Sequence, residues 1–183
     1  MPAAFTPLIP RQPVPPLRVS LVGGGTFDLL ANHPERFTLV VFYRGLHCPV
    51  CKAYVTDLHS KVDEFLRRGV FPVAVSSDNQ ERASQAVSQW DLSGLSVGYG
   101  LPLEVARSWG LFLSAGQGKT STGVEEPERF SEPGLFLVRP DGTLYFSAVQ
   151  TMPFARPRFA DILGAVDYVI AKDYPARGEL PPT

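Results

Sequence analysis

The chain has 183 residues, which suits one domain large enough to bury a core without disulfide staples. Hydrophobic residues make up 44%, and the net charge is −1 with a sequence pI near 6.3, a balance that recruits neither nucleic acid nor an anionic membrane surface. No apolar run reaches the length that a bilayer-spanning helix needs.

Residues 1–16 hold six prolines and predict an extended arm, either docked on the domain or loose. These prolines and the lack of a basic leader are unlike a secretory signal, so a soluble, cytoplasmic protein is expected. One domain is expected over 17–172, with a tail over 173–183. "LRVSLV" (17–22) reads as a strand and the glycines at 23–25 as a turn. "FTLVVFYR" (37–44) is nearly continuous in valines and aromatics, the pattern of a central strand buried on both faces. From Val50 to Arg68, Val50, Tyr54, Val55, Leu58, Val62, Phe65 and Leu66 recur at three and four, which predicts an amphipathic helix stopped by Gly69. "VFPVAVSS" (70–77) reads as a second buried strand, and Asp78 or Asn79 can cap a helix running to about Trp90.

Further on, 102–110 suggests a short helix and 114–133 a long polar loop. The segments 134–138 and 143–149 make a hairpin across "RPDG", and 156–172 is the last helix. The order β-β-α-β-α-α-β-β-α predicts an α/β fold, a central sheet with helices on both faces.

The only cysteines, Cys48 and Cys51, sit where strand 37–44 hands over to the helix. The first N–H groups of a helix lack internal partners and carry partial positive charge. A cysteine there has its thiolate stabilised, and its pKa can fall from about 8.5 into the range of roughly 3.5–7.5. Cys48 is the cap-like residue, expected to point outward. Pro49 fills the first turn, where its missing N–H costs nothing. Cys51 lies one turn in, more buried, at a spacing that lets the two sulfurs close a disulfide. The pair therefore reads as an attacking and a resolving cysteine. Arg44, at the strand end, is the first candidate for tuning the thiol electrostatically, or else a solvated strand-end charge. His47 either tunes the thiol and shuttles a proton or forms a bulky wall at the rim. Two inert core cysteines are the plain alternative. A structural zinc site needs four ligands, and the histidines are only His33, His47 and His59.

"FTLVVFYRGLHCPVCKAYVTDL" resembles the redox segment of thioredoxin-fold proteins, in particular the alkyl hydroperoxide reductase/thiol-specific antioxidant branch, the peroxiredoxin-like proteins. "VFPVAVSSDNQERASQAVSQW" and "EPGLFLVRPDGTLYF" resemble that branch's next β-α unit and terminal hairpin. The likeness extends over about 17–172. It implies a thioredoxin-like three-layer sandwich around a mixed sheet. It also implies Cys48 as the peroxidatic nucleophile, Cys51 as the resolving cysteine, and Pro133 as the cis proline facing the pair. A hydroperoxide or disulfide substrate and a thioredoxin- or glutathione-type reductant follow, with no metal or other cofactor. A homodimer, frequent among such relatives, is allowed by the apolar surface, and no residue requires it.

The chain departs from the family's Pro-x-x-x-Thr/Ser-x-x-Cys pattern, holding Val41, Gly45 and Cys48 at those positions. The arginine expected before the hairpin strand is replaced by Pro133, leaving Arg129 or Arg44 to substitute in space. These departures favour disulfide exchange, and the family likeness favours peroxide reduction. A non-catalytic redox sensor with the Pro-rich arm as its responding element is a third reading, and an inactive scaffold a fourth. "GQGKTSTG" (116–123) lacks the first glycine of a phosphate-binding loop, since Leu113 stands there, and reads as a loop that could also be a lid over Cys48. Glu125, Glu126 and Glu128 read as a solvated face. Tyr43 and Trp109 read as core or rim packing, with Tyr43 near the thiol.

Overall fold

The computed structural model describes residues 6–181, so the first five residues of the arm and the last two of the tail lie outside it. The strands are β1 (Arg18–Leu21), β2 (Thr26–Asp28), β3 (Phe37–Phe42), β4 (Val70–Val75), β5 (Ser96–Tyr99), β6 (Leu113–Ala115), β7 (Arg129–Ser131), β8 (Gly134–Val138) and β9 (Leu144–Val149). The helices are α1 (Pro49–Ser60), α2 (Val62–Arg67), α3 (Gln80–Gln89), α4 (Leu103–Ser108) and α5 (Phe159–Lys172). Seven strands form one mixed sheet in the order β2-β1-β5-β4-β3-β8-β9. β3 runs parallel to β4 and antiparallel to β8, and β4 runs parallel to β5.

β3 is buried along its whole length, as its unbroken apolar run requires of a strand covered on both faces. Leu39 and Val41 face a core built with α1, α2, α3 and α5. Val40 and Phe42 face a second core closed by α4, Trp109 and residues of β1, β2 and the arm. Helices thus lie on both faces, and the cysteines belong to the first core.

The long helix expected from Val50 to Arg68 is two helices, broken at Lys61. The apolar spacing carries across the break, so Phe65 still joins Leu58 in one core, while Leu66 stays half exposed. Asn79 caps α3, its side-chain oxygen accepting from Arg82 N at 2.9 Å. The strands β2 and β5 escape a reading by pattern because they are short and glycine-flanked. β5 exists because β4 and β1 supply ladder partners on its two sides. The expected loop 114–133 contains a two-stranded antiparallel ribbon of β6 and β7. The last helix starts at Phe159, later than expected, so residues 156–158 are free of its axis.

The described part of the arm is docked. Arg11 N donates to Leu144 O at 2.8 Å and Val14 N to Gly142 O at 2.9 Å, extending the β8–β9 edge. The Arg11 guanidinium donates to Ala176 O at 2.8 and 3.0 Å, tying arm to tail.

In the second core, Phe136 meets Trp109 edge-on at 5.0 Å and Phe42 at 5.7 Å. Phe136→Ala should cost about 3–5 kcal/mol of stability in urea unfolding, while Leu30→Ala at the exposed surface should change it by less than about 0.5 kcal/mol.

Candidate redox site

Cys48 is the N-cap of α1. Its backbone is extended there, and its Sγ accepts from Cys51 N at 3.2 Å, taking up one orphan donor of the helix start. Pro49 occupies the first helical position, which needs no donor. The sulfhydryl of Cys51 also serves Cys48, and this is the largest influence lowering the Cys48 pKa from 9.0 to about 6. Burial opposes it, while the Cys51 N–H, Arg156 and Arg44 add to the lowering. Cys51 moves the other way: burial holds its thiol well above the ordinary value, as does its hydrogen bond to Cys48. Both cysteines are free. The expectation that Cys48 points outward is corrected, since it is only 1% exposed. The chain around it closes over the sulfur, as the placement of residues 44–47 explains.

Gly45 has φ +140°, and a Cβ there would lie 2.7 Å from Asp78 Oδ1. Asp78 is buried, accepts from Leu46 N at 2.7 Å and from Arg82 Nε at 3.0 Å, and so clamps the turn that delivers Cys48. Burial raises the Asp78 pKa, and these two donors pull it back. The position where the family pattern puts a hydroxyl side chain is therefore filled by a carboxylate from the next β-α unit.

His47 is fully buried, 4.7 Å from the Phe130 ring. Burial, Arg44 and Arg82 lower its pKa to about 4. Arg82 Nη2 lies 3.5 Å from His47 Nδ1. His47 is a wall rather than a rim residue. Tyr43 is also fully buried, edge-on to Trp90 at 6.0 Å, and burial pushes its phenol pKa up. Tyr43 packs.

Arg44 is not a solvated charge. Its guanidinium lies 4.7 Å over Phe130, with Nε 3.3 Å from Glu132 and Nη2 3.7 Å from Glu126. Glu126 is 11% exposed, which corrects the solvated acidic face for that residue. Arg82 Nη2 donates to Glu125 O at 3.0 Å, and Val124 packs against the core that holds both cysteines. Segment 116–128 is thus tied to the domain by Arg44 and Arg82.

Arg129 stays at the surface, 4.0 Å from Glu128, and does not replace the family arginine. Pro133 is buried, and its bond is trans, because no peptide among the described residues is cis. This corrects the cis expectation. Gly134 pairs with Phe42, so Pro133 continues the chain straight into β8, and its carbonyl accepts from Gln150 N at 3.0 Å. Nothing in that path opposes the ordinary trans preference.

The residue that sequence reading missed is Arg156. Its Nη2 donates to Cys51 Sγ at 3.0 Å. Assignment of 156–172 to one helix concealed it, because a residue on that helix has no reason to reach α1. The Arg-Pro-Arg run just before the helix was the available signal. Among the described residues, no group of three or more His, Cys, Asp or Glu is placed to hold a metal, and no helix is long and apolar enough to cross a membrane.

A mixed sheet flanked by helices, with a cysteine pair at the start of the helix that follows its central strand, defines a thioredoxin-like thiol protein. The chain belongs to the AhpC/TSA family, whose model matches residues 10–147. It is thereby an oxidoreductase of the thiol peroxidase class. No curated protein matches it in sequence. Among solved structures it is similar to peroxidoxin BcpB from Mycobacterium tuberculosis, with TM-score 0.68 and 15% identity over 89% of this chain and 98% of that one. The reduced 2-Cys peroxiredoxin of Plasmodium vivax gives TM-score 0.71 and 14% identity over 91% and 84% of the two chains. A peroxiredoxin-like protein from Aquifex aeolicus gives TM-score 0.68 and 12% identity over 90% of each.

Because its folded pKa is depressed, the Cys48 thiolate stabilises the fold fully above the unfolded value of 9.0 and loses that contribution as pH falls through about 6. Under reducing conditions, wild type should therefore gain stability over Cys48→Ser as pH rises from 6 to 9, read as the difference in urea midpoints. Iodoacetamide should modify Cys48 with a midpoint near pH 6 and leave Cys51 largely unmodified there.

Proposed function

We propose that the protein reduces hydroperoxides through a Cys48–Cys51 dithiol. The observation that carries this reading is the Cys48 sulfur held on the Cys51 N–H at the start of α1 with a pKa near neutrality. The Cys48 thiolate attacks one peroxide oxygen. The O–O bond breaks, an alcohol or water leaves with a proton, and Cys48 becomes a sulfenic acid. Cys51, three residues on in the same turn, attacks the Cys48 sulfur. The S–S bond forms and the S–O oxygen departs as water. A dithiol of the thioredoxin or glutathione type then reduces the disulfide. The need for a reduced pair suits a reducing compartment, and we place the protein in the cytoplasm on that ground.

Around this pair, Pro49 starts the helix and Arg44 contributes positive charge to Cys48. His47 and Tyr43 wall the site, and Pro133 delivers β8 beside the end of β3. Peroxide, rather than protein disulfide, is the substrate we favour. The competing reading is thiol-disulfide exchange, which Gly45 supports because no hydroxyl stands there to orient a peroxide.

Coupled NADPH oxidation with thioredoxin, thioredoxin reductase and an alkyl hydroperoxide separates them. The expected result is peroxide-dependent turnover that Cys48→Ser abolishes. Cys51→Ser should still consume about one equivalent of peroxide and then stop as a sulfenic acid. Turnover of a model disulfide through Cys48 with no peroxide turnover would move the protein to the disulfide oxidoreductases.

A further inference from the structure

Arg156 is a cation held beside a sulfur by contacts unrelated to ion pairing. Its Nε donates to Pro153 O at 2.7 Å, and its guanidinium lies 4.5 Å over the Tyr54 ring. Tyr54 in turn donates its hydroxyl to Pro157 O at 2.6 Å, fixing the segment on both sides of Arg156. No carboxylate pairs with Arg156 among the described residues, and its Nη1 is buried without a partner. Arg44, the other cation near the pair, is already shared between Glu126 and Glu132.

The two cysteines have different needs. Cys48 has the Cys51 sulfhydryl and the helix start to hold its charge, with Arg156 and Arg44 adding less. Cys51 is fully buried, one turn into α1, so water cannot solvate its thiolate. The charged and titratable groups facing it are Cys48 at the start of its own helix, Arg156 from the β9–α5 connection and the buried Tyr43 phenol from the end of β3, with the Arg44 backbone as a further donor.

Resting on the peroxidase reading above, we propose that Arg156 is the catalytic cation of the resolving cysteine, stabilising the Cys51 thiolate through Nη2. In resolution, Cys51 gives up its proton, its sulfur attacks the Cys48 sulfenic sulfur, the S–S bond forms and the S–O bond breaks. The departing hydroxide combines with a proton to give water. In the return step, the thiolate of a reducing dithiol attacks Cys48 and forms a mixed disulfide, the Cys48–Cys51 bond breaks with its electron pair leaving on Cys51, and the reductant's second thiol then displaces Cys48 as thiolate. Arg156 receives the negative charge on Cys51 before that sulfur is reprotonated. The same side chain lines an open cavity of about 410 Å³ with Val50, Ala53, Tyr54 and Phe154.

The test uses the full chain with Arg156→Met and Arg156→Lys. Rapid mixing with hydrogen peroxide follows peroxide loss, and dimedone trapping follows the Cys48 sulfenic acid. In Arg156→Met, disulfide formation should slow about tenfold or more, as one unit of Cys51 pKa implies. At pH 8, well above the Cys48 pKa of about 6, the sulfenic acid should accumulate while peroxide loss changes by about twofold at most. Arg156→Lys should recover part of the resolution rate. In a Cys48→Ser background, Arg156→Met should move the alkylation of Cys51 up by about one pH unit. Slower peroxide loss with unchanged resolution would assign Arg156 to Cys48 and overturn the proposal. So would equal loss of both steps, or no change in either. If wild type forms no sulfenic acid, the peroxidase reading fails. The Cys51 alkylation profile then still decides whether Arg156 holds that thiolate.

Discussion

The rest of the site depends on one contact, the Cys48 sulfur resting on the Cys51 N–H at the mouth of α1. A helix start offers donors that nothing inside the helix can use, and a thiolate is an acceptor that gains from them. For this contact to form, the chain leaving β3 must reverse tightly and arrive at α1 with Cys48 extended. Gly45 permits the turn with a φ of +140°, and the buried Asp78 holds it through Leu46 N. The carboxylate that clamps the turn occupies the space beside Gly45, so the clamp and a side chain at that position exclude each other.

The pair is electrostatically unequal although both sulfurs lie in one helical turn. Cys48 receives hydrogen bonds from the Cys51 N–H and sulfhydryl, whereas Cys51 gives its sulfhydryl proton to Cys48, is the more deeply buried, and receives only the Arg156 guanidinium in return. One sulfur is thereby poised as thiolate and the other as thiol. Two cations approach the pair, and Arg156 acts on both sulfurs. Arg44 enters from β3 and also latches the 116–128 segment through Glu126, and Arg156 enters from the opposite connection and touches Cys51. The latch links order in that segment to the charge environment of Cys48, because the carboxylates that hold Arg44 also moderate its field.

The central strands and the redox turn were legible in the sequence because each carries a strictly local signal. β3 and β4 are apolar runs that only a doubly covered strand explains, and Cys-Pro-x-Cys at a strand-to-helix junction needs no distant residue to be recognised. The position of the cysteine pair at a helix start follows from those signals, whereas the expected order of elements missed β2, β5, β6 and β7 and joined α1 to α2. Local pattern could not show what packs on Arg44 and His47: Glu126, Glu132 and Phe130 on the first, and Arg82 and Phe130 on the second.

Tertiary structure alone decided the remainder, because it rests on pairs far apart in the chain. β5 is a strand through ladders to β1 and β4, the polar 114–133 stretch is an ordered ribbon through Arg44 and Arg82, and the arm is docked through β9 and the tail. Arg156 reaches Cys51 across 105 positions, a distance over which no periodicity carries information. The sequence by itself determined the fold class, the central strand and the thiol pair. Which cations reach the sulfurs only the packed chain could decide, since a guanidinium's partner is set by where the backbone delivers it and not by its neighbours in sequence.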